Sequence, residues 1–176
     1  GIGTCEPDCA DPLEYVSFGP TDTRFTLDNA KIEFARDGVV CLRGAFDPAR
    51  LSPVYSAFEH LMSQGPDVGR DLAPEGSQGA FYSAVQVWRR NSAVHRFVCT
   101  SSIAQIAARI MGSNEIKLLS DQLLVKEPKA DTTTPWHQDL SYFPCSGDQI
   151  CSVWIGLDPV SPETGAMSFV RGSHRW

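Results

Sequence analysis

The chain has 176 residues, the length of one domain, and a chain this long can bury roughly 70% of the surface its unfolded form exposes. With 42% hydrophobic, 10% aromatic and 20% charged residues it has an ordinary globular composition, and no apolar run is long enough to cross a bilayer. The net charge of −6 argues against a nucleic-acid partner, because neutralising phosphates requires a basic face.

Residues 1–26 are rich in Pro, Gly, Asp and Thr and read as an irregular N-terminal arm; residues 27–176 read as one domain. Leu27 to Arg36 has the pattern of a short amphipathic helix, Asp37-Gly38 is a turn signal, and Val39 to Leu42 is a short buried-strand run. Pro48 to Met62 is helical in pattern, with Leu51, Val54, Tyr55, Phe58, Leu61 and Met62 on one face; Pro53 marks a possible later start for the regular helix. Ser63 to Gly79 is a long polar loop, either disordered or a lid. Phe81 to Trp88 alternates like a strand, with Tyr82, Gln86 and Trp88 as candidates for a pocket lining or equally for core or surface. Asn91 to Phe97 and Ser101 to Met111 are two helices, the second stopped by Gly112. Beyond Gly112 the pattern turns to β, with strands expected at 116–125, 149–157 and 166–171. Helices followed by a run of strands indicate an α+β fold or a barrel with helical buttresses.

The six cysteines, at 5, 9, 41, 99, 145 and 151, form no Cys-x-x-Cys pair, so neither a zinc ribbon nor a disulfide scaffold is indicated. Cys41 and Cys151 fall in apolar runs and are expected to be small buried hydrophobes, and a reducing, cytoplasmic compartment fits this usage. The chain opens Gly1-Ile2-Gly3-Thr4 without an initiator Met and closes at Arg175-Trp176, so terminal targeting signals are unreadable.

The chemistry concentrates in Thr134-Pro135-Trp136-His137-Gln138-Asp139, followed by Leu140-Ser141-Tyr142-Phe143-Pro144. In an extended segment, side chains two residues apart share a face, so His137 and Asp139 can grip one side of a single metal ion. They supply two thirds of the 2-His-1-carboxylate triad of non-haem Fe(II) oxygenases. Taken alone the triplet equally describes a surface hydrogen-bonding pair. Pro135 and Pro144 keep helix out of both boundaries, which favours the metal reading. The third ligand is the difficulty, since His174 is the one histidine beyond this point. In the 149–157 strand, Cys151, Val153, Ile155 and Leu157 share an apolar face. Ser152, Trp154 and Gly156 share the other, where Trp154 either lines a cavity or fills core.

Taken together, His137-Gln138-Asp139 with Ser141 to Pro144, Ser152 to Asp158, Pro162 to Met167, Val170-Arg171-Gly172-Ser173-His174 and the earlier Phe34 to Val40 resemble the phytanoyl-CoA dioxygenase family, from about residue 27 to the end. The resemblance implies an α+β protein with a mainly β core. That core would be a double-stranded β-helix, a cupin-like jelly-roll with N-terminal buttressing helices, incomplete at its C-terminus. It implies Fe(II), 2-oxoglutarate and O2, and hydroxylation of a small organic molecule as 2-oxoglutarate is decarboxylated to succinate and CO2. It makes His137 and Asp139 iron ligands and sets Trp154 beside 2-oxoglutarate, with Gln122 and Gln138 as further candidates for the co-substrate pocket.

The family's distal histidine and its 2-oxoglutarate-anchoring arginine have no match here. His174 matches the Gly-Ser-His turn and is expected to be structural, while Arg171 and Arg175 match no family anchor. The chain is thus expected to be the N-terminal part of the enzyme. The carboxylate at 139 favours hydroxylation over halogenation, for which related iron enzymes carry a small residue there. A small-molecule substrate is expected, with no nucleic-acid, membrane or protein partner. Two rival readings are a non-catalytic jelly-roll binding protein and a hydrolase holding another metal such as Zn(II) through the same two residues.

Overall fold

The computed structural model describes residues 15–16, 26–64, 69–130 and 132–176. The elements run β1 (Tyr15–Val16), α1 (Leu27–Asp37), α2 (Pro48–Ser63), β2 (Arg70–Asp71), β3 (Phe81–Val85), α3 (Ser92–Thr100), α4 (Ile103–Met111), β4 (Gln122–Lys126) and β5 (Phe169–Val170). The architecture is α+β.

Helices α1, α2 and α3 start where a side chain takes up free N–H groups. Thr26 Oγ1 accepts from Asn29 N at 3.2 Å, Asp47 Oδ1 from Ala49 N at 2.9 Å, and Asn91 Oδ1 from Ala93 N and Val94 N. Gly38 and Gly112 end α1 and α4 in the left-handed region, at φ +80° and +68°. Helix α2 begins at Pro48 and runs through Pro53, so Pro53 does not delay its start. Pro48 occupies the first turn, where a missing N–H costs nothing.

Strands β2, β3 and β4 form an antiparallel sheet in that order, with Tyr82 opposite Val125 and Ala84 opposite Leu123. Opposed residues share a face, so Tyr82, Ala84, Leu123 and Val125 all point the same way. That face joins the core: Val54 and Leu61 of α2, Ala84, Val87, Val94 of α3 and Leu123 are buried together, with Phe58, Trp88, Phe97 and Leu157 packed around them. The opposite face carries Ser83, Val85, Gln122 and Leu124, and Val85 and Leu124 are exposed there. Helices α1 and α4 pack side by side, joined by Arg109 Nη2–Asp28 Oδ1 at 2.9 Å.

Between β3 and α3 the chain turns at Gln86, which adopts a left-handed φ of +56°. Its amide holds that conformation by donating to Ser120 Oγ and accepting from Trp88 Nε1 and Arg89 Nε. Of the alternatives open for Tyr82 and Trp88, pocket, core or surface, the structure shows both packed against the core. The loop expected at 63–79 falls partly on residues 65–68, outside the described residues, and Arg70–Asp71 within it pairs with β3.

The later strands depart most from expectation. Residues 39–42 and 149–157 form no ladder among the described residues, the strand expected at 116–125 is confined to Gln122–Lys126, and that at 166–171 to Phe169–Val170. A strand exists only where a neighbour takes up its backbone hydrogen bonds, which side-chain alternation does not reveal. Cys41 is exposed and not the buried hydrophobe expected, whereas Cys151 is half-buried and burial pushes its thiol pKa up. Any bridge between Cys5 and Cys9 lies outside the described residues. Among the described residues no helix is long and apolar enough to cross a membrane.

Candidate metal centre

The segment after β4 carries the motif. Lys126 Nζ reaches Thr134 Oγ1 at 3.5 Å, and the chain then passes through Pro135 to an extended Gln138, with φ −114° and ψ 127°. From Asp139 to Tyr142 it closes one 3-10 turn, stapled by Ser141 Oγ donating to Gln138 O at 2.7 Å. An extended residue between two side chains turns both to one side, and the structure brings them together: His137 Nε2 lies 3.2 Å from Asp139 Oδ1.

The remaining atoms of the pair are committed elsewhere. His137 Nδ1 sits 2.8 Å from the Pro135 carbonyl, which only accepts, so Nδ1 carries a proton and Nε2 is the nitrogen turned to Asp139. Asp139 Oδ2 accepts from the Ser152 hydroxyl at 2.5 Å, leaving Oδ1 on the side of the imidazole. The Tyr142 ring stands edge-on to His137, with centroids 5.8 Å apart and planes 78° to one another. The His137 side chain is 32% exposed and that of Asp139 49%, so an ion can reach both.

This donor set fits a divalent first-row metal. An imidazole nitrogen and a carboxylate oxygen converge, and each ligand's second polar atom is held by a neighbour, the arrangement that orients metal ligands. Among the described residues no group of three or more His, Cys, Asp or Glu side chains is placed to hold a metal, so the pair stands without a third protein donor there.

The other expected site residues are distributed as follows. Trp154 is 51% exposed, in the same 149–157 segment as Ser152. Gln122 lies on the exposed face of the sheet, where its Nε2 donates to Ser83 Oγ at 2.9 Å. Gln138 Nε2 donates to the Ser173 carbonyl at 2.8 Å. His174 lies against α1, its imidazole filling the space a Cβ on Gly38 would need. Arg171 Nε faces Asp37 Oδ1 at 3.6 Å, and Arg175 Nη2 donates to Ala35 O at 2.6 Å. Sequence reasoning missed Ser152 as the partner of Asp139; its one signal was Ser152 sharing a predicted face with Trp154.

The chain is 24% identical over 182 residues to "Phytanoyl-CoA dioxygenase, peroxisomal" of Homo sapiens, covering 93% of this chain and 54% of that protein. It is 30% identical over 83 residues to the "Probable alpha-ketoglutarate-dependent hypophosphite dioxygenase" of Stutzerimonas stutzeri, covering 47% of this chain and 28% of that protein. It thus spans about half the length of the human relative and less of the bacterial one. No solved structure matches it. The family model described as Phytanoyl-CoA dioxygenase (PhyH) matches residues 34–176, a stretch that runs from the end of α1 and includes the whole three-stranded sheet and the His137–Asp139 pair, and on that match the chain belongs to the phytanoyl-CoA dioxygenase family.

Proposed function

We propose that this chain is part of an Fe(II)- and 2-oxoglutarate-dependent oxygenase that hydroxylates a small organic molecule, built on a double-stranded β-helix. The observation that carries the reading is the pair itself: His137 Nε2 and Asp139 Oδ1 converge at 3.2 Å while Pro135 and Ser152 hold their other polar atoms. His137 would give the metal a neutral nitrogen and Asp139 a negative oxygen, and the latter also keeps chloride from that coordination position. When bound, Fe(II) supplies the oxygen activation that couples decarboxylation of 2-oxoglutarate, to succinate and CO2, to substrate oxidation. Trp154 offers a flat apolar wall beside the residue that orients Asp139. We propose further that the third protein ligand and the cationic anchor for 2-oxoglutarate belong to sequence following residue 176, in keeping with the absence of a third donor among the described residues.

Anaerobic Fe(II) titration in the presence of 2-oxoglutarate, followed by the weak charge-transfer absorption of the chelate, tests the reading. A C-terminally extended protein is expected to develop the band at stoichiometric iron, and His137→Ala and Asp139→Ala are each expected to abolish it. Absence of the band in the extended protein overturns the iron reading. Zn(II) binding with hydrolytic turnover in its place would then favour the hydrolase, and no metal binding at all the non-catalytic jelly-roll.

A further inference from the structure

The turn at 171–175 is gripped by the end of α1. Asp37 is buried there, its carboxylate met by Arg36 Nη2 at 2.6 Å and Arg36 Nε at 2.7 Å, with Arg171 Nε at 3.6 Å. Its backbone carbonyl accepts from Gly172 N at 2.8 Å, and the Ala35 carbonyl just before it in the helix accepts from Arg175 Nη2 at 2.6 Å. Gly38 leaves the helix at φ +80° without a side chain, and the His174 imidazole occupies that space. The turn is therefore tied to α1 through a side-chain ion pair, two backbone acceptors and a close packing contact.

From this fixed turn the Ser173 carbonyl accepts Gln138 Nε2 at 2.8 Å. Gln138 stands between the two candidate ligands, in an extended conformation that directs its side chain away from theirs. Lys126 at Thr134 and Ser152 at Asp139 hold the segment on either side of this bond. Residues 132–138 belong to no strand, and the motif ends in one exposed 3-10 turn.

We propose that Gln138 is a positioning residue, whose bond to the Ser173 carbonyl fixes the backbone of 137–139 and so the aim of His137 and Asp139, with Asp37 anchoring the turn from α1. The proposal rests on the metal-centre reading. It assigns Gln138 to the protein's internal frame and not to a bound co-substrate. It also makes a helix about a hundred residues earlier in the chain part of what shapes the metal site.

The test uses the 176-residue chain, with ¹⁵N-labelled histidines and Mn(II) as a redox-inert probe. In the native chain His137 is expected to show the Nδ1–H tautomer, and Mn(II) to broaden its resonances. Gln138→Ala and Gln138→Met, which both lack the donor, are expected to give a mixed tautomer at His137 and weaken Mn(II) binding about 10-fold, with the thermal melting curve little moved. Asp37→Asn is expected to weaken Mn(II) binding in the same direction. Ser173→Ala keeps the accepting carbonyl and is expected to leave both readouts unchanged. Unchanged tautomer and affinity in both Gln138 variants overturn the proposal, as does a Ser173→Ala effect as large as theirs. If the tautomer responds to Gln138 as expected while Mn(II) never broadens His137, the positioning stands and the metal reading falls.

Discussion

Asp139 divides its two oxygens between different duties, one facing the His137 imidazole and the other taking the Ser152 hydroxyl. Removing that hydroxyl frees the carboxylate to rotate without removing a ligand. Ser152→Ala is therefore expected to lower divalent-metal affinity about 10-fold, read by isothermal titration with Mn(II), while Asp139→Ala abolishes binding at this site. The His137–Asp139 pair was legible because two residues at i and i+2 share a face whatever the rest of the chain does. Ser152 was not, since it lies 13 positions further along and its arrival depends on the path of the chain between. Gln138 illustrates the same limit, because its sequence neighbours say nothing of a Ser173 carbonyl 35 positions away.

At the scale of elements, what could be read was what is locally encoded. The helices follow from apolar spacing of about 3.6 residues and from caps such as Thr26, Asp47 and Asn91. Thr26→Ala is expected to cost about 1 kcal/mol in urea unfolding. Gly38→Ala carries a heavier cost: a side chain at φ +80° is strained by roughly 1–3 kcal/mol, and the His174 imidazole must move as well. The same urea experiment should show Gly38→Ala the more damaging of the two. Strands were harder to read because each needs a partner distant in sequence. Alternation at 81–85 and 122–126 found one, while the similar pattern at 149–157 meets none among the described residues. Even there the predicted faces survive in part: Cys151, Ile155 and Leu157 are less exposed than Val153 and Trp154, and Leu157 reaches the core.

For the molecule as a whole, Asp37 links acid sensitivity to the way the C-terminal turn is held. The Arg36 guanidinium, with Arg171 beside it, keeps this carboxyl below its ordinary pKa despite the opposing cost of burial. A carboxyl whose pKa is lowered by folding contributes stability in full above the ordinary value, about 3.9, and loses it as the pH falls from there through the lower folded value. Urea midpoints are expected to be flat from pH 7 to about pH 5 as far as Asp37 is concerned and to fall in more acid solution, with a shallower fall in Asp37→Asn. Among the described residues strand β1 meets β5 in two residue pairs, Tyr15 with Val170 and Val16 with Phe169. Closing a loop of about 150 residues costs roughly 4 kcal/mol in chain entropy, more than two such pairs return by themselves. The contact is therefore expected to close after the rest has folded and to open first, with amide exchange at 169–170 outpacing that at 123–125. Trimming the first sixteen residues should then loosen β5 while the turn beside it, held by α1, keeps its place.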